Sequence, residues 1–228
     1  MLVNQPPVTL HQAPWALSGT VLGVLMNHRP ALAALGDAVH QPPYKAPPQA
    51  PVLYVKPRNT WAADGQPVAV PVDAPALQVG AALGLVIGRT ACRVSVDDAL
   101  THVAGAVIVN DLSVPHDSFY RPSVRLKARD GFCPLGPAVA PRASVPAPDA
   151  LTLSVAVDGR VVHEAGTGDR VRDVATLIAD VSAFMTLNPG DLLMLGVAHG
   201  APRVRAGQAV RVTAPGLAAL DVRFEAER

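Results

Sequence analysis

The chain has 228 residues, half of them apolar and only 16% charged, which excludes a disordered polymer of solvated charge and leaves enough apolar surface for a real core. A formal net charge of +1, with no cluster of Lys or Arg, excludes the cationic face that nucleic-acid binding requires. The longest apolar stretches, such as Ala81–Ile87, fall far short of the ~20 residues that cross a bilayer, so no membrane span is expected.

Cys92 and Cys133 form neither a metal-ligand spacing nor a disulfide framework, and the start of the chain lacks a charged segment followed by an apolar run. A cytoplasmic location is the expectation. Only Lys45, Lys56 and Lys127 are lysines, and only Glu164, Glu225 and Glu227 are glutamates, a skew that GC-rich coding produces. No domain boundary or internal repeat is visible. One domain over 1–228 is expected, with an N-terminal segment 1–18 and a core over about 19–224.

In chain order, a short helix is predicted to start at Pro30, where the missing N–H costs nothing. Gln41–Pro51 is Pro-dense and predicts an extended surface loop. Strands are predicted at Val52–Lys56, Val68–Val70 and Ala81–Ile87, each bounded by Pro, Gly or Asp. Ser95-Val96-Asp97-Asp98 has the form of a capping box and predicts a short helix through Val103 that Gly105 closes.

Ala106–Asn110 follows as a strand, and Leu151–Val157 and Arg160–His163 form a hairpin about Asp158-Gly159, the dipeptide of a type I′ turn. Val174, Leu177, Ile178, Val181, Phe184 and Met185 recur on one helix face, with Asp173 as cap and Asn188-Pro189-Gly190 as terminator. Leu192–Leu195 and Ala209–Thr213 complete the predicted strands. The fold class is therefore α+β, mainly β, with an antiparallel or mixed core and a few short helices.

No dinucleotide fingerprint, phosphate loop, nucleophile elbow, His-x-x-x-His or Cys-x-x-Cys occurs. What remains is a polar concentration: the apolar run Ala106–Val109 stops at Asn110-Asp111, and His116, Asp117, Tyr120, Arg121, Arg125, Lys127, Arg129 and Asp130 follow. A buried strand that delivers a carboxylate into a cation-rich loop suits an anionic ligand, and the same composition suits a solvated surface loop. Arg29, Lys45, Lys56, Arg58, Arg121 and Lys127 together would suit a small substrate with two or more carboxylates, since Arg offers a bidentate fork and Lys a point charge.

Gly23-Val24-Leu25-Met26-Asn27-His28-Arg29, Lys56-Pro57-Arg58-Asn59-Thr60, Val86-Ile87-Gly88-Arg89, Asn110-Asp111, Lys127 with Arg129-Asp130-Gly131-Phe132-Cys133-Pro134-Leu135-Gly136, and Thr186-Leu187-Asn188-Pro189-Gly190-Asp191 resemble, in order, the fumarylacetoacetate hydrolase family. The strings Tyr44-Lys45-Ala46-Pro47-Pro48 and Ser118-Phe119-Tyr120-Arg121-Pro122 narrow the resemblance to members that act in aromatic catabolism. The resemblance implies a mixed β-sandwich roll. It also implies decarboxylation of 5-oxopent-3-ene-1,2,5-tricarboxylate and isomerisation of 2-hydroxyhepta-2,4-diene-1,7-dioate. A homodimer, or a heteromer with a paralogous subunit, is the implied assembly.

Three departures accompany it. Metal-bearing members carry Glu-x-Glu just before the Val-Ile-Gly strand, whereas Gly80 and Ala82 stand here and Asp111 is the only retained ligand position. No tightly held metal is therefore expected, and Mg²⁺ would bind only weakly or in a partner subunit. The family's helix-borne His is replaced by Ala31, and its Gly-Thr-Pro turn by Gly196-Val197-Ala198, which counts against hydrolysis of a carbon–carbon bond.

Both implied reactions pass through an enolate. Lys127 is assigned as the fixed cation for its oxygen and His116 as proton shuttle, with Asp111 as alternative base. Arg29, Lys45, Lys56, Arg58, Tyr120 and Arg121 are assigned to the substrate. A catalytically degenerate scaffold subunit, or an isomerase or hydrolase of another 2-oxo acid, remains open.

Overall fold

Two sheets form the framework of the computed structural model, which describes residues 19–120, 123–145 and 147–227. The larger has six strands, in the order Val52–Lys56, Val21–Leu25, Leu192–Met194, Ala81–Ile87, Val103–Asn110 and Ala140–Pro141. Val21–Leu25 and Leu192–Met194 run parallel, and the other pairs are antiparallel. The smaller has five, in the order Arg160–Gly166, Thr152–Val157, Ala209–Thr213, Leu220–Ala226 and Val68–Val70, the last pair parallel. The described chain is thus mainly sheet with a few short helices, as the sequence predicts.

Ala81–Ile87 is buried at every residue, as an unbroken apolar run must be when both sheet faces are covered. Alternate side chains serve the two faces. Leu83, Leu85 and Ile87 pack toward the helix Val174–Ser182, while Ala82 and Val86 pack with Trp61, Cys133 and Leu135. A third cluster joins the five-stranded sheet, through Leu153, Val212, Leu220 and Phe224, to Ile108, Leu112 and Phe132 beside the Asp111 corner.

The helix at Val174–Ser182 is capped as predicted: Asp173 accepts from the Thr176 N–H at 2.8 Å. It buries Val174, Leu177, Ile178 and Val181, each contributing about 1.5–3 kcal/mol by leaving water. It ends earlier than the periodicity predicts, and Phe184 is 65% exposed. Ser182 explains the stop, because its hydroxyl donates back to the Ala179 carbonyl and accepts from Val94 N–H.

Asp158 and Gly159 both have positive φ (49° and 80°), as the hairpin requires. The capping-box helix covers only Val96–Ala99, followed by a 3₁₀ turn, and the next strand already starts at Val103. Gly105 therefore lies inside a strand, where a Cβ would collide with the Ala140 carbonyl; it marks a close strand approach, not a helix end. Val21–Leu25 and Leu220–Ala226 are strands the sequence reading omits.

Candidate active site

Asp111 follows the last residue of the Val103–Asn110 strand, and its corner is pinned twice. Gly80 N–H donates to the Asn110 side chain at 3.0 Å, and Asp111 N–H to the Gly80 carbonyl at 2.8 Å. A Cβ at position 80 would collide with the Asp111 carbonyl. On the Val52–Lys56 strand, at the edge of the same sheet, Tyr54 and Lys56 share one face by the two-residue period. The ring of Tyr54 fills the space that a side chain at its cross-strand partner Gly23 would occupy.

Lys127 ends the single helical turn Val124–Lys127. The Lys56-Pro57-Arg58-Asn59-Thr60 motif holds that turn in place: Asn59 donates to the Ala128 carbonyl and to Asp130, and accepts from Gly131 N–H. Motifs distant in sequence thus meet around one carboxylate.

Asp111 is fully buried between two ammonium groups, with Lys56 Nζ 2.8 Å from Oδ1 and Lys127 Nζ 2.8 Å from Oδ2, and the Tyr54 hydroxyl donates to Oδ2. Burial presses the Asp111 carboxyl upward, but Lys127 and then Lys56 outweigh it and hold it at about 2. It is a poor base at neutral pH, which argues against its assignment as alternative base. Burial lowers the Lys127 ammonium from its ordinary value despite Asp111. Burial and then Asp111 raise Tyr54 well above its ordinary value, so its hydroxyl is a neutral donor.

The two lysines have different work. Lys56 donates to the carbonyls of Leu112, Lys127 and Phe132, each at 2.8 Å, and is 1% exposed. Its three protons are all taken inside the fold, so its proximity to Asp111 is a close ion pair and none of its donors faces a substrate. Lys127 Nζ has one hydrogen-bond partner among the described residues, Asp111, lies 4.8 Å from the centre of the Tyr54 ring, and the side chain lines a cavity of about 250 Å³. Its remaining donors are available there.

His116 lines the same cavity. Its Nδ1 lies 2.8 Å from the Val114 carbonyl, which can only accept, so in the neutral ring Nδ1 carries the proton and Nε2 the lone pair. Nε2 is buried without a hydrogen-bond partner among the described residues. Phe119 stacks edge-on against the ring, and Phe119 N–H donates to the Tyr44 hydroxyl, tying this loop to the Pro-rich segment.

The other predicted substrate residues stand elsewhere. Arg29 is exposed at the start of the helix Arg29–Leu35, Lys45 is exposed at φ 67°, and Arg58 is exposed over Trp61; none lines the cavity. Tyr120 is 57% exposed and lines a shallow surface depression shared with His116. Arg121 lies outside the described residues. Tyr54, His28 and His199 line the cavity and were not singled out as site residues. Tyr54 could have been found from its alternation with Lys56; His199 carries no local signal.

The residues do not fit a divalent cation. Both Asp111 oxygens are engaged by ammonium groups, and position 80 has no room for a side chain. Ala82 is a buried methyl, and among the described residues no three His, Cys, Asp or Glu side chains converge. Ala31, Val197 and Ala198 also line the cavity, so the positions that departed from the family pattern present apolar groups to it.

Comparison with known proteins agrees with this architecture. A family model described as fumarylacetoacetate (FAA) hydrolase C-terminal matches residues 20–225. The chain is 42% identical over 205 residues to the 4-hydroxyphenylacetate degradation bifunctional isomerase/decarboxylase of Salmonella dublin, covering 90% of this chain and 47% of that protein. It spans about half the length of the curated relatives it matches first.

The crystal structure of 2-hydroxyhepta-2,4-diene-1,7-dioate isomerase from Mycobacterium marinum superposes with a TM-score of 0.75 at 27% identity, covering 92% of this chain and 76% of that one. A fumarylpyruvate hydrolase from Pseudomonas aeruginosa, solved with Mn²⁺ and pyruvate, has the same fold, with a TM-score of 0.82 at 24% identity over 98% and 97% of the chains. A match spanning both sheets and the Asp111 corner leaves one conclusion: the chain belongs to the fumarylacetoacetate hydrolase family.

Proposed function

We propose that the chain is a metal-independent isomerase/decarboxylase of 2-oxo and 2-hydroxydienoic di- or tricarboxylates, of the kind formed when an aromatic ring is cleaved. The observation that carries this reading is Lys127: a buried ammonium anchored by Asp111, with donors left over in a cavity that His116, its Nε2 buried without a hydrogen-bond partner among the described residues, also lines.

In the isomerisation of 2-hydroxyhepta-2,4-diene-1,7-dioate, the hydroxyl proton leaves, C2=O forms, and one proton is added to a carbon of the dienolate. His116 Nε2 takes the first proton and returns one to carbon. Lys127 stabilises the negative oxygen between the two events, a role in which one fixed donor is worth about 3–4 kcal/mol. Decarboxylation of 5-oxopent-3-ene-1,2,5-tricarboxylate uses the same hole: carbon dioxide departs, its bonding pair enters the conjugated carbonyl, and the resulting enolate is reprotonated. The family similarity supports the substrate class, and the apolar surface at Ala31 supports isomerisation and decarboxylation over hydrolysis.

The two sheets support reading the finer architecture as a mixed β-sandwich roll, with 19–224 as one domain. The half-length match supports a heteromer with a paralogous subunit as the assembly, with a homodimer as the alternative. The test is ketonisation of the dienol by the purified chain, followed by ultraviolet absorbance with excess EDTA. Turnover unchanged by EDTA is expected. A folded chain with no turnover overturns the proposal in favour of a scaffold subunit, and turnover that requires added Mg²⁺ overturns the metal-free mechanism.

A further inference from the structure

His28 also faces the cavity and has no part in the steps above. It precedes the helix Arg29–Leu35 and forms an antiparallel bridge with Arg170. His199 N–H donates to His28 Nδ1 at 3.0 Å. A ring nitrogen that accepts a hydrogen bond carries no proton, so the neutral ring is protonated on Nε2. That N–H has no hydrogen-bond partner among the described residues, and the side chain is buried apart from its cavity edge. The neutral ring of His28 therefore has the opposite tautomer to that of His116: Nε2 is a donor in the first and an acceptor in the second.

The surroundings keep it so. Burial, then Arg170, His199 and His163, oppose a second proton on His28, Asp169 alone favours it, and the balance sits at about 4. Arg170 is 2% exposed, and none of its guanidinium nitrogens has a hydrogen-bond partner among the described residues. Its charge is therefore not cancelled by a bonded carboxylate, and it adds positive potential on the His28 side of the cavity. The carboxylates that line the cavity are Asp111, neutralised by two lysines, and Asp117.

We infer that His28 is a specificity-determining residue whose fixed Nε2–H receives the substrate carboxylate remote from the enolate oxygen held at Lys127, and that Arg170 is its positioning residue. The inference rests on the proposed function and assigns to one residue its discrimination of dicarboxylic from monocarboxylic 2-oxo acids. A monocarboxylate would leave the Nε2–H unpaired in a dry site, and sites built around a hydrogen bond reject ligands that cannot make it.

Calorimetry with 2-oxoadipate and with 2-oxohexanoate, which has the same chain length and lacks the second carboxylate, tests this without turnover. The wild type is expected to bind 2-oxoadipate at least 10-fold more tightly. His28→Phe is expected to erase the difference while leaving 2-oxohexanoate within about 2-fold. A preference that survives His28→Phe overturns the inference. Lys127→Met is expected to weaken both ligands, and no loss there overturns the proposed function instead. Should His28→Phe fail to fold, long-range ¹⁵N–¹H spectra of the wild type decide: an Nε2–H signal for His28 that persists at pH 5.5 is expected, and an Nδ1–H form overturns the inference. Arg170→Met is expected to move the His28 titration upward, and an unmoved titration removes Arg170 from the assignment.

Discussion

Lys127 Nζ lies 2.8 Å from Asp111 Oδ2 with Lys56 on the other carboxylate oxygen, so one buried acid orients one cavity-facing cation. Lys127→Met removes the group that meets the developing oxyanion and leaves Asp111 its Lys56 partner. The expected result is a fall in kcat of about 10²–10³-fold with the far-ultraviolet circular dichroism spectrum unchanged. Initial rates on the dienol check this, and a loss smaller than 3-fold refutes the role.

Lys56→Met has the opposite signature. It strips hydrogen bonds from three buried carbonyls and leaves Asp111 Oδ1 without its ammonium, and breaking a buried ion pair costs about 3–5 kcal/mol. A drop in Tm of roughly 10 °C is expected for a chain of this size. Arg58→Ala, exposed over Trp61, is expected to stay within about 0.5 kcal/mol of wild type. Thermal melts of the two variants separate the internal cation from the surface one.

The Asp111 carboxyl titrates at about 2 in the folded chain, below its unfolded value near ~3.9. The unfolded state therefore binds more protons between those values. The contribution, on the order of 2 kcal/mol, is fully present above the unfolded value and is lost as pH falls through about 2. Urea unfolding at pH 6, 4 and 3 is expected to show wild type and Asp111→Asn converging toward the acid end. A gap that stays constant with pH contradicts the electrostatic assignment.

His116→Phe keeps a ring against Phe119 but removes the buried lone pair at Nε2. A positioned acid–base group contributes about 10²–10⁴-fold, so kcat is expected to fall by that factor while KM changes by less than about 3-fold. Steady-state kinetics on the dienol measure the split, and a pure KM effect shows a binding role instead.

Local chemistry made much of this legible in the sequence. The apolar spacing of Val174, Leu177, Ile178 and Val181 marks a helix face whatever it packs on, and Asp158-Gly159 marks a hairpin because both residues need positive φ. Leu220, Val222 and Phe224 alternate with Asp221, Arg223 and Glu225, so that strand was readable and went unread. Val21–Leu25 has Gly23 at its centre and no such alternation; its burial comes from neighbours on either side.

The sequence by itself determined the inventory of the site: a carboxylate at the end of an apolar strand, a cation-rich loop after it, and small neutral residues where acidic ligands would stand. Only the tertiary structure decided which cation meets the cavity. Lys56 and Lys127 are chemically alike, and their roles separate because three backbone carbonyls converge on one ammonium while the other has a single hydrogen-bond partner among the described residues. The histidine tautomers follow the same rule, since a ring nitrogen's proton is set by its hydrogen-bond partner: His199, distant in sequence, fixes His28, and Val114, two residues away, fixes His116 once the loop has its shape.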